Sequence, residues 1–140
     1  MPKTIVQKIV FKNTTAKALY DLYMNAKKHS KVTLAPAQIS NKIGEKYSAH
    51  GGYISGENIY LIKDKLIVQS WRTKEWDEKD VDSTFIIELE PKGKNVVLHM
   101  VHANLPDKHA ESITKGWHSH YWEPWKMFLA GKPMEKYPDM

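Results

Sequence analysis

The sequence predicts an α+β protein in which a curved antiparallel sheet wraps around one long C-terminal helix. Two observations predict it: a run of strand-like segments between residues 38 and 102, and an aromatic helical pattern over Glu111–Ala130. Short connections between consecutive strands favour a meander. An antiparallel sheet needs a cover on its apolar face, and the final helix can supply it.

The C-terminal segment has the strongest helical pattern in the chain. Its large apolar side chains share one side of a helix of about five turns; they are Ile113, Trp117, Tyr121, Trp125 and Phe128. Pro124 lies inside this pattern, removes a backbone donor and crowds the carbonyl group of His120, so we expect a kink and a free carbonyl there. Trp122 falls away from the centre of the stripe, and we expect it to be exposed.

The chain begins with a strand followed by two short helices. Residues 4–11 alternate and are rich in β-branched side chains, which predicts the first strand. Residues 13–15 (Asn-Thr-Thr) can cap a helix over Ala16–Met24. Its expected buried residues are Leu19, Leu22 and Tyr23. A second short helix is predicted over residues 25–32, before Pro36.

The middle of the chain predicts strands separated by turns. The strands cover residues 38–40, 45–49, 53–62, 66–72, 83–90 and 96–102. Gly51 and Gly52 predict a turn or bulge, and Gly56 predicts a bulge or a close approach between strands. Residues 75–82 form an acidic loop and residues 91–94 a turn. The long helix is predicted to begin near Glu111, and the tail from Lys132 to Met140 to be coil.

Length and composition restrict the class of protein. A length of 140 residues predicts a single domain over residues 1–140, which is long enough to bury a core. No apolar run approaches the ~20 residues of a membrane span, and no signal peptide precedes the first strand pattern. The chain has no cysteine, which excludes disulfides and thiol chemistry and fits a cytoplasmic location.

The net charge of +5 comes from scattered lysines rather than from a basic patch. Arg72 is the single arginine, whereas nucleic-acid readers rely on arginine for bidentate contacts. Acidic residues lie between the lysines, a pattern typical of a solvated surface. We therefore expect no nucleic-acid partner. The lack of a long apolar run likewise leads us to expect no membrane partner.

The sequence lacks the local signatures of metal, cofactor and catalytic sites. His118 and His120 would point about 200° apart on a helix, and His99 and His102 would face opposite sides of a strand. The acidic loop lacks the glycine and glutamate of a calcium loop, and no GxSxG or GxGxxG is present. We predict no metal and no cofactor. An acid–base pair of His102 and Glu123 stays open, but no local pattern supports an enzyme.

Polar residues on the predicted inward faces indicate a candidate ligand cavity between helix and sheet. Gln69 shares a face with Trp71, and His102 shares one with Met100. A buried polar group needs a partner, which can be protein, water or a ligand. The candidate lining residues are Gln69, Trp71, Phe85, Ile87, Leu98, Met100, His102, Trp117, Tyr121 and Trp125. Core packing between helix and sheet is the more common explanation of such aromatic residues, and the wall of an apolar pocket is the alternative.

Five segments of the chain resemble a known family. They are residues 51–56 (GGYISG), 66–72 (LIVQSWR), 102–106 (HANLP), 116–117 (GW) and 121–122 (YW). In this order and spacing they resemble the C-terminal domain of homologues of the activator of the 90-kDa heat-shock-protein ATPase, over roughly residues 4–130. That family sits in the START and birch-pollen-allergen-like (SRPBCC) superfamily, and the resemblance therefore implies its helix-grip fold.

Two functions are open for such a domain. The first is binding of an apolar or amphipathic small molecule in a cavity between the C-terminal helix and the sheet. The second is a co-chaperone-like protein-interaction module with a filled core, whose partner is a chaperone or another protein. Trp122 is the expected exposed contact of that second function. Some superfamily members are cyclases or hydrolases, but no residue here carries that chemistry over.

Overall fold

A computed structural model describes residues 2–132 of the chain. Strands and α-helices follow in the order β1 (Lys3–Phe11), α1 (Ala16–Met24), α2 (Ala26–Thr33), β2 (Lys46–Ala49), β3 (Ile54–Ile62), β4 (Leu66–Thr73), β5 (Ser83–Lys92), β6 (Asn95–Leu105), α3 (Asp107–Trp117) and α4 (Glu123–Leu129). A 3-10 turn covers His50–Gly52, and a π-helical turn covers His118–Trp122. Beyond Lys132, the tail predicted as coil lies outside the described residues.

The strands form one antiparallel sheet in the order β1-β6-β5-β4-β3-β2. From β2 to β6 each strand pairs with its neighbour in sequence, and β1 pairs with β6. The predicted α+β helix-grip fold is confirmed, with a meander, two short helices after β1 and a long C-terminal helical segment. The first helix also begins as predicted, since the Thr15 side chain accepts a hydrogen bond from the amide of Ala18.

Alternating residues of the strands turn one face of the sheet towards the helices. The buried residues of β4 include Ile67, Gln69 and Trp71, while Ser70 and Arg72 face the other way, as predicted. On the helical side, α1 buries Leu19, Leu22 and Tyr23. The core therefore lies between this face and the helices.

Two predicted element boundaries are wrong. Residues 38–40 are not a strand: Gln38 forms an isolated bridge with Ser48. The Asn58 side-chain amide instead donates to the carbonyl groups of Ser40 and Lys42, so a side chain organises this stretch in place of a strand ladder. The last long helical segment begins at Asp107 rather than near Glu111, because Pro106 is tolerated at a helix start and Asp107 suits the positive end of the helix dipole.

The predicted close approach at Gly56 is confirmed. A Cβ atom at this position would overlap with the carbonyl oxygen of Ser70 on β4 and would lie 2.9 Å from Cε1 of Tyr47. Only glycine lets the two strands come this close, because a strand backbone cannot move aside cheaply.

Gly56→Ala is therefore expected to lower the free energy of unfolding by about 1–3 kcal/mol. Urea denaturation followed by tryptophan fluorescence measures it. Gly116→Ala is the matched control, since a Cβ atom there meets only the His120 ring at 3.8 Å. In α3 that control should be neutral or stabilise by up to about 1 kcal/mol. Equal stability of the Gly56→Ala variant and the wild type would contradict the close approach.

Candidate functional site

The ten residues predicted to line a cavity come together and are all buried. Trp71 has the highest exposed fraction among them, 4%. They lie on β4 (Gln69, Trp71), β5 (Phe85, Ile87), β6 (Leu98, Met100, His102), α3 (Trp117), the π-helical turn (Tyr121) and α4 (Trp125). The structure therefore joins the sheet and the C-terminal helical segment through one aromatic cluster.

The rings of this cluster pack directly against one another. Phe85 and Trp117 stack with 4.3 Å between ring centroids and 4° between planes. Trp117 also contacts Tyr121 at 4.8 Å, and Trp71 contacts His102 edge-on at 4.7 Å. These are the spacings of packed aromatic pairs, so side chains from helix and sheet meet without an intervening ligand.

His102 obtains both of its hydrogen-bond partners from the protein. The Ser83 hydroxyl donates to the carbonyl oxygen of Trp71 at 2.7 Å, so its oxygen is free to accept from Nε2–H of His102 at 2.8 Å. Nδ1 of His102 accepts from the Trp117 indole N–H at 3.0 Å. This arrangement fixes the neutral Nε2–H tautomer. Burial lowers the pKa of His102 from 6.5 to about 3.

Gln69 is satisfied in the same way. Its Oε1 accepts from the hydroxyl of Tyr23 at 2.9 Å, and its Nε2 donates to Oδ1 of Asn58 at 2.9 Å. Asn58 in turn donates to the loop that precedes β2. The two polar residues that suggested a ligand cavity therefore bond to neighbouring side chains.

A third network, which no sequence pattern indicated, centres on the hydroxyl of Tyr121. His29 donates from Nδ1 to the carbonyl oxygen of Tyr23 at 2.8 Å, so its Nε2 accepts from the Tyr121 hydroxyl at 2.9 Å. His50 lies 3.1 Å away and donates from Nε2 to the same hydroxyl oxygen. Burial lowers the pKa of His29, and burial with nearby His120 lowers that of His50 to about 4.

The position of His50 shows why this network was hard to predict. Its backbone is left-handed with φ of 52°, an uncommon value for a residue other than glycine. Gly51 and Gly52 continue the left-handed turn at 67° and 92°. The glycine pair predicted a turn, but nothing in the sequence indicated that the turn would bring an imidazole to Tyr121.

The prediction that Trp122 is exposed is wrong: its exposed fraction is 0%. In a regular α-helix, residues five apart lie about 140° from each other. The π-helical turn changes this relation, because the amide of Glu123 bonds to the carbonyl oxygen of His118, five residues earlier. Trp122 consequently stacks on Trp117 at 5.5 Å with 16° between planes. This π-helical turn lies directly before the helix that contains Pro124, the residue at which a kink was expected.

The acid–base pair left open by the sequence does not form a site. His102 is enclosed, whereas Glu123 is exposed and lies 3.7 Å from the ammonium group of Lys126. Within residues 2–132, no group of three or more His, Asp or Glu side chains is arranged to hold a metal ion. No helix in this part of the chain is long and apolar enough to cross a membrane.

Arg72 organises the acidic loop. The guanidinium group donates to the carbonyl oxygens of Asp77 and Asp80 and to the carboxylate of Asp82. Trp76 is buried at the same end of the sheet, 5.7 Å from the ring of Trp71. Arg72, the last residue of the 66–72 segment (LIVQSWR), therefore has a structural role in this loop.

Comparison with known proteins identifies the family. The sequence profile described as "Activator of Hsp90 ATPase homolog 1-like protein" matches residues 13–126. The activator of 90 kDa heat shock protein ATPase homolog of Dictyostelium discoideum is 32% identical over 99 residues, 70% of this chain and 26% of that protein. The human homolog 1 is 29% identical over 110 residues, 79% of this chain and 32% of that protein.

Solved structures show the same fold. The crystal structure of an HSP90 activator from Plasmodium falciparum has a TM-score of 0.82 and 23% identity, covering 94% of this chain and 99% of that chain. A protein from Mesorhizobium loti has a TM-score of 0.79 and 14% identity, covering 92% and 98%. The chain spans about a third or less of the two curated relatives. It belongs to the Activator of Hsp90 ATPase homolog 1-like family.

Proposed function

We propose that this chain is a protein-interaction module whose partner is a chaperone of the 90 kDa heat-shock class. The observation that carries the proposal is the filled contact between helix and sheet. Gln69 and His102 have protein partners for the polar groups that a ligand would otherwise satisfy. The partner is taken from the curated relatives, whose names describe them as activators of that chaperone's ATPase.

Small-molecule binding, the other function predicted from the sequence, requires the helix and the sheet to separate. A pocket for a small ligand has a volume of about 300 Å³ or more. At about 24 cal/mol per Å³, opening such a cavity in a packed core costs about 7 kcal/mol. This cost is comparable to the whole stability of a small domain, so a ligand would have to repay it on binding. The cost supports the interaction function.

We propose only that the chain binds the chaperone, and that it does so as a single domain in the cytoplasm. The matched region is only 26% and 32% of the two relatives' lengths, so an effect on ATP hydrolysis is a separate property that needs its own assay. An interaction module needs accessible surface rather than an internal pocket. With Trp122 buried, that surface must be sought on the sheet or the loops.

Sedimentation velocity with the purified chain and the 90 kDa chaperone of its own organism tests the proposal. We expect a saturable complex with a Kd of about 1–100 μM, in the absence of nucleotide, with ADP or with a non-hydrolysable ATP analogue. Absence of a complex in all three states, at 200 μM of folded chain, would refute the proposal. A parallel NMR titration with fatty acids, flavonoids and sterols covers the alternative. Shifts clustered at Gln69, His102 and Trp117 would support a small-molecule function instead.

A further inference from the structure

The two edges of the sheet differ in how they are protected. At one edge, β2 is only four residues long, and Gln38 and Ser48 exchange two backbone hydrogen bonds of 2.9 Å across its outer side. At the other edge, β1 has nine residues and pairs only with β6. Within residues 2–132, no other backbone hydrogen bond reaches β1. A long unpaired edge is a template for another strand unless it is blocked.

The side chains on the outer face of β1 are apolar and basic in alternation. Val6 and Val10 have exposed fractions of 73% and 47%. Lys8 lies between them and Lys12 follows, both exposed, and neither forms an ion pair with another described residue. The outer face of this edge therefore offers two apolar contacts and two ammonium groups that form no ion pair. Hydrogen bonding to His99 lowers the pKa of Glu90 on β5, and Lys92 and Lys8 add to this effect.

Val6 also begins an apolar row that crosses the outer face of the sheet. Its members are directly opposite one another on successive strands: Val6, Val101, Ile86, Val68 and Tyr60. Val6 and Tyr60, at the two ends, are exposed at 73% and 50%, and the three between them are half-buried. An outer face of an antiparallel sheet is more often polar, so this apolar row is a second feature that favours a partner.

We propose that β1 is a docking edge for an extended protein segment in which apolar and acidic side chains alternate on one face. The segment adds to the sheet as a further strand and bonds to the open backbone edge. Its apolar side chains lie beside Val6 and Val10 and lengthen the apolar row, and its carboxylates lie beside Lys8 and Lys12. The inference deepens the proposed interaction function, on which it rests, by assigning a surface and a partner chemistry.

The positive charge of β1 favours an acidic segment at this edge over a second copy of the chain. Residues 2–20 contain no acidic side chain, while β1 and the residue after it carry Lys3, Lys8 and Lys12. Lys3 already has Asp107 as a partner at 3.8 Å. Two copies of β1 would bring Lys8 and Lys12 of both chains together, and β1 itself has no carboxylate to place between them, which is unfavourable. An acidic segment removes that repulsion.

A labelled twelve-residue peptide repeating valine–threonine–glutamate–threonine is the probe, with fluorescence anisotropy as the measurement. We expect saturable binding that weakens as salt is added, and no binding of the matched peptide with lysine in place of glutamate. N-methylation of alternate backbone amides on the pairing side of the acidic peptide should abolish binding. Equal binding of the acidic and basic peptides would overturn the inference, as would full binding of the methylated one.

The variant K8E/K12E provides the test on the protein side. It should weaken binding of the acidic peptide about tenfold at low ionic strength, because two favourable charge pairs become repulsive. It should also bind the basic peptide better than the wild type does, which a merely damaged fold would not do. The control K63E/K65E changes the same charge in the turn between β3 and β4, and should stay within about twofold of the wild type.

The same variants separate this inference from the proposed function. If the wild type and K8E/K12E bind the chaperone equally well, the docking edge is refuted while the interaction function stands. If the chain binds the acidic peptide through Lys8 and Lys12 but binds no chaperone, the docking edge stands and the proposed interaction with the chaperone is refuted. Sedimentation also tests whether a second copy of the chain occupies the edge. If the wild type is a dimer and Val6→Lys dissociates it, β1 pairs with a second copy and the inference is overturned.

Discussion

Replacing Trp122 with alanine is expected to lower the free energy of unfolding by about 3–5 kcal/mol. The side chain is fully enclosed, and its indole N–H donates to Oε1 of Gln7 at 2.6 Å. Its ring also meets Phe11 at 6.4 Å and Trp125 at 5.1 Å, both edge-on. The alanine variant loses these contacts, leaves a cavity and leaves the buried Oε1 of Gln7 without the hydrogen bond from the indole. Urea denaturation at pH 7.5 measures the change.

This substitution distinguishes the π-helical register from a regular helix. In a regular helix, Trp122 would lie away from the stripe, and its removal would cost less than about 0.5 kcal/mol. Glu123→Ala is the matched control, since that side chain is exposed and its ion pair with Lys126 is a surface pair. If Trp122→Ala unfolds the protein completely, Trp122→Phe keeps a ring and isolates the loss of the bond to Gln7. A variant as stable as the control would contradict the buried position.

The sequence was sufficient for the fold because periodicity reports which face of each element is apolar. The alternation of Ile67, Gln69 and Trp71 predicted one strand face, and the spacing of Trp117, Tyr121 and Trp125 predicted one helix face. Both are buried as predicted. A change in helical register has no such periodic signal. Pro124 marked where the helix would be perturbed, but a kink and a π-helical turn both fit a proline at that position.

The burial of the ten candidate residues was predictable from the sequence, but the way in which they pack was not. The ten lining residues follow from strand and helix faces, and all of them are buried together. Whether they enclose space depends on ring orientation and on hydrogen bonds between distant positions. Tyr23 and Gln69 are 46 residues apart, and His29 and Tyr121 are 92 residues apart. Such pairings arise only when the tertiary fold places the side chains together.

Acidification should destabilise the protein through its buried neutral histidines, with His102 as the clearest case. The pKa of His102 falls from 6.5 to about 3 in the folded chain because of burial. Its neighbours Trp71, Phe85, Trp117 and Ser83 carry no charge that could balance an imidazolium. Protonation would also set the Nδ1 proton against the indole N–H that Nδ1 accepts from. The folded state therefore resists a proton that the unfolded chain accepts readily.

The sign and size of the effect follow from this difference. Well above pH 6.5, His102 is neutral in the folded and in the unfolded state, and it does not reduce the free energy of unfolding. As pH falls below 6.5 the unfolded chain takes up the proton first, so the free energy of unfolding decreases until the pH reaches the folded-state pKa of about 3. At pH 5 the loss from His102 alone is about 2 kcal/mol relative to pH 7.5. The lowered pKa values of His29 and His50 act with the same sign.

His102→Gln isolates the contribution of this residue. The variant loses some stability at every pH because its polar contacts change, so the useful quantity is the difference between pH 7.5 and pH 5. Urea denaturation at both values should show a loss about 2 kcal/mol smaller in the variant than in the wild type. His29 and His50 remain in the variant and retain their part of the pH dependence. Identical losses in the two proteins would mean that His102 accepts a proton in the folded state as easily as in the unfolded chain, contrary to its enclosed contacts with Ser83 and Trp117.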